Sequence, residues 1–176
     1  MTVEALRRGR LEVLAALLDE YGREIQGVAY LILRDRAAAE DVLIDTLMTA
    51  LDRGSQLRDP AALRAWLLRI ATNQALGWRR KGARVVYLHV LPDVQARSVW
   101  PDQAERTALW ESVSALPPRM RAVVVLRYYA DLPVEGVATA MGISPNTVKT
   151  QLKTAMQHLR AALADGPDAT VEVSHA

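Results

Sequence analysis

Between Gly142 and Arg160 the chain reads GISPNTVKTQLKTAMQHLR. Asn146, Thr147, Lys149, Thr150, Gln151, Lys153 and Thr154 crowd its first half, and no acid occurs from Ile143 to Arg160. Amide and hydroxyl side chains hydrogen-bond to base edges, and lysines neutralise phosphates. The chemistry on offer is recognition of a polyanion. Bond-breaking chemistry finds no support elsewhere. His89, His158 and His175 are scattered, with no metal spacing and no Ser/His/Asp arrangement, and there is no Gly-rich phosphate loop. The carboxylates Glu40, Asp41 and Asp45 share a segment without basic or metal-ligating partners. No catalytic residue, metal or cofactor is expected.

A helix must carry this polar set. Val148, Leu152, Ala155, Met156, Leu159 and Leu163 recur at helical spacing opposite it. Ser144 can cap that helix and Pro145 suits its first position. The amides near Ser144 and Thr147 can hold a backbone phosphate. Just upstream, Val134, Val137, Ala138 and Met141 predict a short helix that Gly142 stops. Helix, tight turn, helix is the pattern that places a second helix in a major groove. A helical hairpin with a solvated polar face fits the same periodicity.

The chain has 176 residues, a net charge of +2, no Phe and an aromatic share of 5%. Its apolar mass is Ala, Leu and Val, which favours helices over sheet. The charge is unevenly placed. Arg58, Arg64, Arg69, Arg79, Arg80, Lys81 and Arg84 face only Asp59 over their stretch, while acids gather at Asp35–Asp45 and Asp93–Glu111. Two basic blocks predict two nucleic-acid contacts, although a charge run alone also describes solvated helix surface. The absence of Cys excludes disulfides, thiolate catalysis and direct thiol redox sensing. No signal peptide or membrane span is recognised, so a cytoplasmic protein without membrane insertion is expected.

Earlier in the chain, Leu11, Leu14, Ala15 and Leu18 predict a first helix, broken or bent at Tyr21-Gly22. A second follows to about Arg34-Asp35, and a third runs from Arg36 to about Arg53. RGSQLRDP reads as a loop, with Asp59 a cap and Pro60 at the start of a long helix that ends near Gly82. Periodicity is then lost until Ala104, where VVYLHV reads as a short strand or an apolar linker. The expected fold is all-α: two small helical domains, 8–84 and 104–165, joined by a linker, 85–103, with a flexible tail, 166–176.

LPPRMRAVVVLRYYADLPVEGVATAMGISPNTVK, from Leu116 to Lys149, resembles region four of bacterial RNA polymerase sigma factors of the extracytoplasmic-function group. The first half is similar to region two of the same group. The Ala-Glu-Asp-Val run at Ala39–Val42 and the helix LRAWLLRIATNQALGWRRK carry that similarity. The resemblance implies a factor that binds core RNA polymerase, at its clamp and flap, and directs initiation at promoter DNA. It implies a polymerase-docking face at Glu40, Asp41, Ile44, Asp45 and Met48. It implies contacts to the minus-ten element from Arg53, Ser55, Gln56, Arg58, Asn73, Trp78, Arg79, Arg80 and Lys81. For the minus-thirty-five element it implies Ser144, Asn146, Thr147, Lys149, Thr150, Gln151, Lys153 and Thr154. An anti-sigma partner is implied as well.

The loop at Arg53–Arg58 lies where the family captures a flipped base, and an ordinary surface loop is the competing reading. By helical phasing Trp78 is exposed and able to stack on DNA, whereas Trp66 belongs to the core. Four positions depart from the family pattern: Ile44 where Gln is usual, Gly77 where Asp is frequent, and Gln151 and Thr154 where Arg is frequent. The last two predict a different upstream hexamer and a weaker salt dependence. A stand-alone helix-turn-helix regulator is the second reading, separated from the first by core-polymerase binding. A helical scaffold, the third, predicts no DNA affinity.

Overall fold

The computed structural model describes residues 11–78 and 108–164. Every regular element among them is helical. α1 spans Leu11–Leu33 and α2 Arg36–Arg53. Short 3₁₀ turns at Gly54–Gln56 and Pro60–Ala62 lead into α3, Leu63–Trp78. The second half contains α4 (Ala108–Ala115), α5 (Pro118–Val124), a π turn (Val125–Tyr129), α6 (Val134–Met141) and α7 (Pro145–Ala164). VVYLHV and the expected linker and tail lie outside the described residues, as do Arg79, Arg80 and Lys81.

α1 runs unbroken through Tyr21-Gly22, against the expected break. Gly in a helix interior costs roughly 1 kcal/mol relative to Ala. Ile25, Val28 and Ala29, all fully buried just beyond it, outweigh that cost. A Cβ at Gly22 would stand 2.8 Å from Leu18 Cδ1, so glycine lets the helix pack its own preceding turn. α1 ends at Arg34, whose φ of 61° is unusual for a residue with a Cβ. Its guanidinium lies 5.8 Å from the Tyr30 ring centroid. Asp35 then turns extended and accepts from Ala38 N at 3.1 Å, capping α2 one residue later.

Asp59 caps as expected, accepting from Ala61 N at 2.9 Å. α1, α2 and α3 pack mutually around Leu17, Ile25, Val28, Val42, Leu47, Leu67 and Leu68. Between α2 and α3, buried Thr46 donates to Gln74 Oε1 at 3.0 Å, and Gln74 Nε2 donates to Thr49 at 3.1 Å.

The second unit packs α7 across α4, α5 and α6. Val113, Leu116, Val124, Ala155 and Leu159 form a core of their own. The larger core does not stop at the unit boundary: Leu126, Leu132, Val137 and Met141 belong to the cluster that contains Ile25, Leu68 and Ala71. α6 lies along α3, and α5 with its π turn lies against α1. Trp66, expected in the core, packs on it while remaining partly accessible.

Candidate nucleic-acid and polymerase interface

The turn before α7 is built as its residues require. Gly142 has φ 64° and closes α6 in the left-handed conformation. Ser144 Oγ accepts from Thr147 N at 3.1 Å and lies 2.9 Å from Thr147 Oγ1. That bond satisfies one of the orphan amides of the first turn. Replacing Ser144 by Ala is expected to cost about 1 kcal/mol of stability, read as a lower urea midpoint; an unchanged midpoint would remove the cap from the account.

Beyond the cap, Asn146, Thr147, Lys149, Thr150 and Lys153 are exposed on one side of α7, and Val148, Ala155 and Leu159 are buried on the other. Thr150 donates to Asn146 O at 3.0 Å, so its hydroxyl is engaged locally with the helix. Gln151 and Thr154 are half-buried, and Gln151 Oε1 is enclosed without a hydrogen-bond partner. They flank the apolar stripe, because Gln151 stands three residues from Val148 and four from Ala155.

On the first unit, Glu40 and Met48 are exposed, Met48 at 48%, while Asp41, Ile44 and Asp45 are half-buried along the same face of α2. Burial, then the neighbouring Asp45 and Asp35, hold the Asp41 carboxyl above its ordinary value. A raised carboxyl opposes folding once ionised. That cost is absent below the unfolded value of about 3.9, grows as pH rises from there to the folded value, and is fully present at neutral pH. Asp41→Asn is therefore expected to raise the melting temperature at pH 7 and to give no gain at pH 3. A gain of equal size at both values would assign the effect to something other than charge.

Arg53, Ser55, Gln56 and Arg58 are exposed around the 3₁₀ turn, and Asn73 is exposed on α3. Trp78 departs from expectation. It is half-buried and lines a hollow of 460 Å³ with Ile32, Arg34, Asp35, Ser114 and Arg121. Helical phasing left it exposed because the covering residues come from other elements. A Cβ at Gly77 would meet nothing within 4 Å, so an acidic side chain there would fit.

Sequence reasoning did not single out the π turn. It sets Tyr128 and Tyr129 60% and 41% exposed at the rim of an apolar groove. That groove, 530 Å³, is walled by Trp110, Val113, Val124, Val125, Met156 and Leu159. The signal was the Arg-Tyr-Tyr ending of the Val/Leu run; exposed aromatic pairs beside a groove mark an interaction surface.

Two segments match family models: residues 17–85 match Sigma-70 region 2, and residues 106–159 match Sigma-70, region 4. The RNA polymerase sigma-E factor of Streptomyces antibioticus is 31% identical over 133 residues, covering 75% of this chain and 74% of the relative. The ECF RNA polymerase sigma factor SigL of Mycobacterium tuberculosis is 30% identical over 157 residues, covering 86% and 89%. The chain belongs to the extracytoplasmic-function group of sigma factors. Among solved structures, CnrH in complex with the cytosolic domain of CnrY aligns with a TM-score of 0.70 at 22% identity, covering 94% of this chain and 97% of that one. The sigma factor RpoE bound to the anti-sigma factor NepR from Bartonella quintana aligns at 0.66 and 19%, covering 86% and 96%. These two share the fold. In this sigma factor, region two is α1–α3 and region four is α4–α7. Among the described residues no helix is long and apolar enough to cross a membrane, and no group of three metal-ligating side chains occurs.

Proposed function

We propose that this chain binds core RNA polymerase and directs promoter-specific initiation, region two reading the minus-ten element and region four the minus-thirty-five element. The observation that carries this reading is the first turn of α7. A capped helix presents Asn146, Thr147, Lys149, Thr150 and Lys153 to solvent in one acid-free patch, sized for a major groove. The α2 face of Glu40, Asp41, Ile44, Asp45 and Met48 is the proposed clamp contact. Its mix of exposed acid and thioether suits a protein surface more than a phosphate backbone. Arg53, Ser55, Gln56, Arg58 and Asn73 are the proposed downstream contacts, with Arg79, Arg80 and Lys81 continuing the series. The half-buried Trp78 is the weakest member of that set, and Gln151 and Thr154 serve the upstream element less directly than their neighbours. The region-four groove is the proposed flap contact. The protein performs no catalysis in this reading, acts in the cytoplasm and answers to an anti-sigma partner.

Run-off transcription with bacterial core polymerase on a promoter library tests it. A discrete transcript that requires the protein is the expected result. DNA binding without core binding would move the assignment to a stand-alone regulator.

A further inference from the structure

Region two carries its proposed downstream contacts on two separate stretches of chain. Arg53, Ser55, Gln56 and Arg58 lie at and just beyond the end of α2, and Asn73 stands on α3. One side chain bridges the two helices. Gln74, the neighbour of Asn73, accepts from Thr46 Oγ1 at 3.0 Å and donates from Nε2 to Thr49 Oγ1 at 3.1 Å. Thr49 in turn donates to Asp45 O at 2.7 Å. The amide therefore meets α2 as a fork. Both its ends are engaged, on residues three apart, and each hydroxyl proton has an acceptor. Thr46, at the inner prong, is fully buried.

The fork sits where it can set position. Thr49 stands one turn before Arg53, and buried Leu57 donates from its backbone to Gly54 O at 3.1 Å, so the loop is built onto the last turn of α2. Around the fork, α2 and α3 bury only aliphatic side chains in one cluster, among them Val42, Leu47 and Ala50 from α2 and Leu68, Ala71 and Ala75 from α3. Burial of that kind has no direction, and aliphatic cores lose uniqueness before they lose stability. Two hydrogen bonds from one amide admit a single register. A slide of about 1 Å takes both beyond bonding distance and leaves a buried hydroxyl unpaired.

We propose that Gln74 is a positioning residue for the downstream element: through Thr46 and Thr49 it fixes Asn73 relative to the loop at Arg53–Arg58, so that both meet one DNA strand in register. The proposal rests on the function given above and deepens it. Gln74 touches no DNA in this account, because both ends of its amide are turned onto α2. The last acceptor in the chain, Asp45 O, belongs to the helix that carries the polymerase-docking face. A docked α2 thus carries the loop and, through Gln74, Asn73 as one piece. Loss of the fork weakens reading of the downstream element and leaves core binding as it is.

Substitutions at the fork separate positioning from stability. Gln74→Met removes the amide and strands the Thr46 hydroxyl, so its urea midpoint should fall. Adding Thr46→Val and Thr49→Val removes both sets of partners, which is close to neutral, and this triple variant should recover the native midpoint. Each full chain is assembled with core polymerase and titrated by fluorescence anisotropy with a single-stranded non-template oligonucleotide carrying the selected minus-ten element. The triple variant should bind core as the native chain does and the oligonucleotide about tenfold more weakly, within the cost of one misplaced base contact. Oligonucleotide affinity that recovers together with the midpoint overturns the proposal. If the triple variant stays destabilised, Thr49→Val alone decides: it releases one prong and should weaken oligonucleotide binding at a native midpoint, and unchanged binding overturns the proposal. The absence of Cys permits a check on the free chain. Asp52→Cys and Arg69→Cys, at exposed positions on α2 and α3, are spin-labelled and their distance distribution is measured by pulsed electron paramagnetic resonance. The distribution should be narrow with Gln74 and broader in the triple variant, and equal widths overturn the fork. A native complex that does not prefer the oligonucleotide to a scrambled one would count against the proposed function, and the free-chain widths would still decide the fork.

Discussion

Leu67→Ala is expected to lower the free energy of unfolding by about 2–5 kcal/mol. Leu67 has no exposed surface and sits in the second turn of α3, the helix packed by α1 and α2 and by α6. Truncation removes the transfer energy of the side chain and leaves a cavity that three elements must collapse to fill. Domains of this size have a total stability of about 5–15 kcal/mol, so the change consumes a large share of it. Urea titration followed by circular dichroism measures the effect. Because α3 belongs to the core that spans both regions, the two halves should lose structure together. A loss below about 1 kcal/mol, or a transition confined to one half, would show that the shared core is less tightly built than the burial states.

Asn146→Ala and Lys149→Ala should separate sequence reading from electrostatic attraction on α7. Both side chains are exposed in the acid-free patch and stand one helical turn apart. Loss of a base-reading amide costs about 1–3 kcal/mol, hence roughly 5- to 150-fold in affinity, concentrated at one base position. Loss of a phosphate-neutralising lysine weakens every sequence alike and reduces the salt slope by about 1. Fluorescence anisotropy on duplexes carrying the selected upstream element and its single-base variants, at several salt concentrations, distinguishes the two. Two substitutions that gave the same uniform loss would assign both residues to the phosphate backbone, and two that gave no loss would detach α7 from the upstream element.

Much of the site was legible because its signals are local. Gly142, Ser144 and Pro145 specify a turn and a helix start through chemistry confined to a few residues, and Asp59-Pro60 does the same before α3. The exposed face of α7 followed from periodicity, since the buried stripe is contributed by α7 itself. Errors arose where another element decides. Gly22 signalled a break by its intrinsic propensity, but buried neighbours carried the helix through it. Trp78 lies on an outward phase of α3 and is covered by residues from α1 and α5. Arg64 and Arg121 were unreadable for the same reason: they appeared as surface charge, and each donates to a backbone carbonyl of the other region, Ala130 O and Ile32 O, 66 and 89 residues away.

The π turn at Val125–Tyr129 has a consequence for how chains of this kind can vary in length. A π turn closes its hydrogen bond over five residues where an α-helix uses four, so it takes up one surplus residue at the C-terminal end of the helical segment that begins as α5. Deleting one residue there would let the segment relax to an ordinary helical turn, without the wide turn that sets the directions of Tyr128 and Tyr129. Tyr128 and Tyr129 would then no longer be delivered together to the groove rim and, for the Tyr129 hydroxyl, to α1 at Gly27. The register of this stretch is thus an inherited coordinate: substitutions can drift around it one at a time, but a single-residue gap would have to arrive together with a new partner for α1.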